Sequence, residues 1–158
     1  MTKPALRHWS LFVIVCALSS LTGLAAASSQ ASGSGVGTFT PSTSYNGVAL
    51  SGLDFGMGIE IPGDTSATGN FHATLQGTGG QAIGVDGHAS GGSIAGDGSA
   101  TFSGTCTVDM GDGSTPSTGV TFTVTAAPNA SGGGTLTLTL GSTRLTPASI
   151  QDGTLSVS

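Results

Sequence analysis

Two segments near the C-terminus alternate threonine with apolar residues at a strict period of two. They are Thr121-Phe122-Thr123-Val124-Thr125-Ala126 and Thr135-Leu136-Thr137-Leu138-Thr139-Leu140. Successive side chains of a β-strand point to opposite faces, so this period puts the apolar residues on one face and the threonines on the other. The pattern predicts two half-buried strands, connected by the Pro- and Gly-containing stretch at residues 128–134.

Upstream segments repeat the alternation less strictly, and each is closed by Gly, Pro, Asp or Asn, the residues that favour turns. The apolar positions of shared parity are Leu53, Phe55, Met57, Ile59 and Ile61; Phe71, Ala73 and Leu75; Ile83 and Val85; Ala100, Phe102, Cys106 and Val108; and Leu155 and Val157. No window keeps a helical period for more than two turns. We therefore predict an all-β domain of seven to nine short strands, an antiparallel β-sandwich, with a small β-barrel as the alternative.

The N-terminus has the pattern of a secretion signal. Lys3 and Arg7 precede an apolar stretch at residues 9–24, and small residues lead up to Ala27. Serine, threonine and glycine interrupt the apolar stretch, which is too short for the roughly 20 consecutive apolar residues of a membrane span. We predict a signal helix at residues 1–27 that is cleaved after Ala27, and Cys16 leaves with it.

The remaining chain is expected to hold one domain. Residues 28–37 are rich in Ser, Gly and Ala and have little to bury, which predicts a flexible linker. Residues 38–158 have the length of a single domain with one core.

Charge limits the partners of the mature chain. After residues 1–27 are removed, Arg144 is the only Lys or Arg and eight carboxylates remain, so the net charge is one minus eight, or −7. Binding to nucleic acids depends on Lys and Arg that neutralise phosphates, and anionic lipid surfaces make a similar demand. We expect neither partner, no membrane span in the mature chain, and a secreted protein, extracellular or periplasmic, that meets a surface or matrix component.

Two histidines and an aspartate are the candidates for chemistry. Asp86 and His88 share one face of a predicted strand, and His72 points away from the core on another. Imidazole and carboxylate are ligands for zinc or copper, so the three would form a metal site if the two strands were neighbours. The simpler interpretation is that they are ordinary residues on the solvent face of a sheet, since no short metal motif and no nucleophile turn accompanies them. We therefore assign no catalytic, metal or cofactor-binding residue.

Two other features have both a functional and a structural interpretation. The run Asp109-Met110-Gly111-Asp112-Gly113-Ser114 could supply oxygen ligands to calcium, but it lacks the closing Glu of an EF-hand loop and is also typical of a β-turn. Cys106 shares the parity of Phe102 and Val108, which predicts a buried, unreactive thiol and a fold without a disulfide.

The outward threonines are the remaining candidates for binding. Rows at 121, 123, 125 and at 135, 137, 139 would form a grid of hydroxyl and methyl groups if their strands were paired, and such a grid suits ice or a polysaccharide. Threonine is also a good strand former on an exposed face. The mature chain has no Trp and one Tyr, so it lacks the aromatic platforms that commonly bind sugars.

The segments at residues 96–104 and 119–126, with the closing Gly153-Thr154-Leu155, resemble the short secreted β-sandwich modules that follow choice-of-anchor domains in bacterial surface proteins. The resemblance implies an extracellular, non-catalytic accessory or adhesion module. We predict an exported binding, adhesion or structural module that is not an enzyme. The alternatives are a metal-dependent extracytoplasmic enzyme using His72, Asp86 and His88, an ice- or glycan-binding protein using the threonine rows, and a self-associating matrix component.

Overall fold

The structure, a computed structural model, describes residues 28–63 and 65–158, which form ten β-strands and no helix. In chain order the strands are β1 (Ser29–Thr38), β2 (Ser44–Tyr45), β3 (Val48–Ile61), β4 (Ser66–Gly77), β5 (Ala82–Ile94), β6 (Ala100–Asp109), β7 (Ser117–Pro128), β8 (Gly134–Leu140), β9 (Thr143–Arg144) and β10 (Ala148–Val157). All pairings are antiparallel, which confirms the predicted all-β class. The predicted signal at residues 1–27 lies outside the described residues.

The strands are more numerous and longer than predicted. Eight of the ten contain seven to fourteen residues, and β2 and β9 contain two each. The described chain offers no helical segment with the length and hydrophobicity needed to cross a bilayer.

The eight long strands form a closed ring. Their order is β1-β10-β8-β7-β6-β5-β4-β3, and β1 pairs with β3 as well as with β10. The strand with the first described residues therefore lies between the last strand and β3. This closure is the arrangement of the small barrel, the alternative to the predicted sandwich.

Strand β1 corrects the prediction of a flexible linker at residues 28–37. Each residue from Ala31 to Val36 has a partner on β3 and another on β10. The inward positions of β1 are small because neighbouring strands fill the space above them: a Cβ on Gly33 would lie 2.5 Å from the Thr154 carbonyl oxygen and 3.2 Å from Leu155 Cδ1. Glycine and serine here mark a crowded strand rather than a free one.

The core lies inside the ring and is built from the alternating apolar residues. Phe122, Val124, Leu136, Leu138 and Leu140 are all at most 2% exposed, which confirms the predicted inward face. At the centre three aromatic rings contact one another, with the Phe71 and Phe122 centroids 5.8 Å apart. Phe102 meets both rings edge-on, at 6.0 and 6.2 Å.

Two segments outside the long strands add side chains to the core. Phe39 and Tyr45, from the segment between β1 and β3, are buried, and so is Leu145, which follows β9. The segments are joined where the Thr40 hydroxyl donates a hydrogen bond to the Thr146 hydroxyl at 3.0 Å. These contacts hold β9 in place beside β8.

Candidate functional site

His72 and Asp86 are brought together on the outer face of the ring. They are direct partners across β4 and β5, and His72 Nδ1 lies 2.6 Å from Asp86 Oδ1. Both side chains are largely exposed, at 60% and 73%. His88 lies one row along, opposite Asn70, and both histidines line a shallow open depression of about 450 Å³.

This group does not form the metal site considered from the sequence. Among residues 28–63 and 65–158, no group of three or more His, Cys, Asp or Glu side chains is arranged to hold a metal ion. His72 and Asp86, two of the three candidate ligands, contact each other. His88 is not placed to act as the third ligand of a metal ion. An exposed imidazole–carboxylate contact of this kind contributes at most about 1 kcal/mol to stability.

The Asp109–Ser114 run forms turns that use their own carboxylates. Asp109 Oδ1 accepts a hydrogen bond from the Gly111 amide, and Asp112 Oδ1 accepts one from the Ser114 amide, each at 2.9 Å. Hydrogen bonds from the side chain and then the backbone of Ser114 lower the pKa of Asp112 below its ordinary value. The turn interpretation accounts for these residues, since each carboxylate has a local partner.

Cys106 is buried, as predicted. Its side chain is 4% exposed and forms no disulfide. Desolvation raises the pKa of the thiol, and the nearby Asp86 carboxylate raises it further. A thiol reacts as the thiolate, so this environment disfavours nucleophilic chemistry.

The threonine rows predicted from the alternation lie side by side. Thr123 is the direct partner of Thr139, and Thr125 is the direct partner of Thr137, across β7 and β8. Residues directly opposite each other on paired strands point to the same face, about 5 Å apart. The sequence showed the two rows but not this register, which depends on the turn between them.

A third row, on β6, extends the surface and was not predicted from the sequence. Ser103 is paired with Thr123 and Thr101 with Thr125, whose hydroxyls lie 3.1 Å apart. The alternation of residues 100–108 indicated an outward row, but nothing in the sequence showed that it adjoins β7. We call the combined outer surface of β6, β7 and β8 the threonine face; its members are Thr101, Ser103, Thr105, Thr121, Thr123, Thr125, Thr135, Thr137 and Thr139. Thr137 is covered, at 9% exposed, and the other eight are partly or fully exposed.

The threonine face carries no aromatic residue. All described phenylalanines and Tyr45 are buried, at most 9% exposed. Desolvation, followed by the charge on Cys106, raises the pKa of Tyr45. The threonine face therefore presents hydroxyl, methyl and backbone groups and no aromatic ring for stacking.

Comparisons with known proteins add no relative. No family model, no curated protein and no solved structure matches the chain. The resemblance to secreted β-sandwich modules stays a prediction.

Proposed function

We propose that this chain is an exported, non-catalytic binding module of the adhesion type, and that the threonine face is its contact surface. The observation that supports this proposal is the register across β6, β7 and β8, where Ser103, Thr123 and Thr139 form one row and Thr101, Thr125 and Thr137 form the next. Neighbouring rows along a strand are about 7 Å apart and neighbouring strands about 5 Å apart.

Such a surface suits an extended polysaccharide. Each threonine offers a hydroxyl that donates and accepts hydrogen bonds, as the hydroxyl groups of a sugar do. The branched β-carbon holds each side chain in few rotamers, so little side-chain entropy is lost on binding. Repeated rows bind a repeating polymer through many weak contacts, which replaces the aromatic stacking that this face lacks.

The core and the titratable groups support a role without catalysis. The interior is filled by the contacting phenylalanine rings and the leucines of β8. The imidazole–carboxylate pair on the surface, His72 and Asp86, is open to solvent rather than enclosed beside a nucleophile. A filled interior and an open polar surface direct recognition to the outside of the ring.

The proposal is tested with a double substitution at the centre of the face. Thr123→Ala with Thr139→Ala removes two hydroxyls and two methyl groups from one row. We expect about a 5- to 150-fold loss of binding to the polysaccharide that retains the protein, because two lost hydrogen bonds of about 0.5–1.5 kcal/mol each remove about 1–3 kcal/mol. Binding is measured by co-sedimentation with insoluble cellulose, chitin and cross-linked polyuronate, and with ice crystals.

The matched control is Thr74→Ala with Thr154→Ala, which removes the same chemistry from β4 and β10. This variant should bind as the unsubstituted chain does, and both variants should unfold at similar denaturant concentrations. Equal binding by the two variants, or retention by no polysaccharide, would show that the threonine face is not a polysaccharide surface. Affinity for ice alone would identify it as a surface for ordered water.

A further inference from the structure

Arg144 lies at the end of the central row of the threonine face. It is the direct partner of Thr139 across β8 and β9, and Thr139 is in turn the partner of Thr123. The row therefore runs from Arg144 through Thr139 and Thr123 to Ser103 over four neighbouring strands. With strands about 4.8 Å apart, the row is about 14 Å long.

Arg144 is exposed and forms no ion pair with any carboxylate in the described ranges 28–63 and 65–158. Its guanidinium group has five N–H donors in a planar fork that matches carboxylate and sulfate oxygens. None of the nine members of the threonine face is charged. A ligand that covers the central row therefore meets one unpaired cation at its edge.

We propose that Arg144 makes the threonine face selective for anionic polysaccharides, whose carboxylate or sulfate groups it binds while the threonines contact the sugar hydroxyls. This inference rests on the proposed function of the face. It identifies the class of ligand: a linear, charged, hydroxyl-rich polymer.

The experiment compares charged and neutral forms of the same polymers. One arm uses polygalacturonate and its methyl ester, and the other uses dextran sulfate and dextran. We expect the full chain to bind at least one anionic polymer about tenfold more tightly than its neutral form, the size of one charge-assisted hydrogen bond. A preference for polygalacturonate over its ester identifies a carboxylate as the bound group, and a preference for dextran sulfate over dextran identifies a sulfate.

Substitution at Arg144 tests the assignment of this preference. Arg144→Gln should abolish the preference, so that the charged and neutral forms of the polymer bind with equal affinity. The matched control, Gln30→Glu, makes the same change in net charge on β1, on an exposed side chain away from the face, and should keep the preference.

The outcomes separate this inference from the function on which it rests. Equal binding to charged and neutral polymers, with loss in the Thr123→Ala, Thr139→Ala variant, overturns the role of Arg144 and leaves the polysaccharide surface standing. A preference that survives Arg144→Gln also overturns it. Failure of the chain to bind any of the four polymers counts against the role of Arg144, and failure across the insoluble panel as well overturns both proposals.

Discussion

At Gly87 the absence of a side chain makes room for an aromatic ring. Gly87 is the cross-strand partner of Phe71 on one side and of Cys106 on the other. A Cβ at this position would lie 2.7 Å from Cε1 of Phe122. That ring is held between Phe71 and Phe102, so it has little freedom to move away. A single glycine thus fixes how the three rings pack.

We predict that Gly87→Ala lowers the free energy of unfolding by about 1–3 kcal/mol, the usual cost of overpacking a filled core. Urea denaturation followed by far-UV circular dichroism measures the change. Gly56→Ala is the matched control, because Gly56 also lies within a strand and a Cβ there has no atom within 4 Å. The control should be neutral or stabilising, and a similar loss in both variants would contradict the packing argument.

Strand β1 shows what an alternating pattern can and cannot predict. The strands β7 and β8 were predicted because their inward residues are large and apolar. The inward residues of β1 include Ala31, Gly33 and Gly37, which carry no hydrophobic signal, because the space over them is filled from neighbouring strands. Leu53 Cδ2 would be 3.3 Å from a Cβ on Gly37. A strand whose core is supplied by its neighbours cannot be recognised from its own sequence.

Hydrogen exchange distinguishes the strand from a linker. We predict that amides between Ala31 and Val36 exchange as slowly as those in the middle of β4, since β1 is paired on both sides. The turn residues Asp112 and Gly113 are the internal reference for fast exchange. Two-dimensional NMR in deuterated buffer measures both sets in one sample, and exchange of β1 amides at the rate of the turn would restore the linker interpretation.

The candidate site, like the fold, could be predicted from the sequence only in part. The threonine rows of β7 and β8 and the residues His72 and Asp86 were all predicted to face outward. Which of them meet was not predictable, because the partner of a residue depends on turn lengths and bulges such as the shift between Ala89 and Gly91. The position of Arg144 beside Thr139 depends in the same way on the turn between β8 and β9.

The stability of the whole molecule is expected to fall at alkaline pH. The ordinary pKa values are 9.0 for Cys106 and 10.0 for Tyr45, and burial raises both in the folded state. Above these values the unfolded chain loses the two protons before the folded chain does. The folded state is therefore favoured fully below pH 9, and this contribution is lost as the pH rises through the folded pKa values.

We predict that the free energy of unfolding is flat from neutral pH to about pH 9 and falls above it. Urea denaturation across this range measures the dependence. Tyr45→Phe and Cys106→Ala each remove one ionising group, so each variant should lose less stability between neutral and alkaline pH. Identical slopes in all three proteins would show that neither group is responsible.

The closed ring also sets an order of events for a newly made chain. The first described strand is held by the last, with the Gln30 and Ser158 backbones hydrogen-bonded to each other in both directions at 2.7 and 2.9 Å. A polypeptide that emerges N-terminus first, from a ribosome or from a translocation channel, cannot complete this pairing until β10 has emerged. The ring therefore closes only after β10 is free: a fragment that lacks β10 leaves β1 with one open edge, ready to pair with another chain.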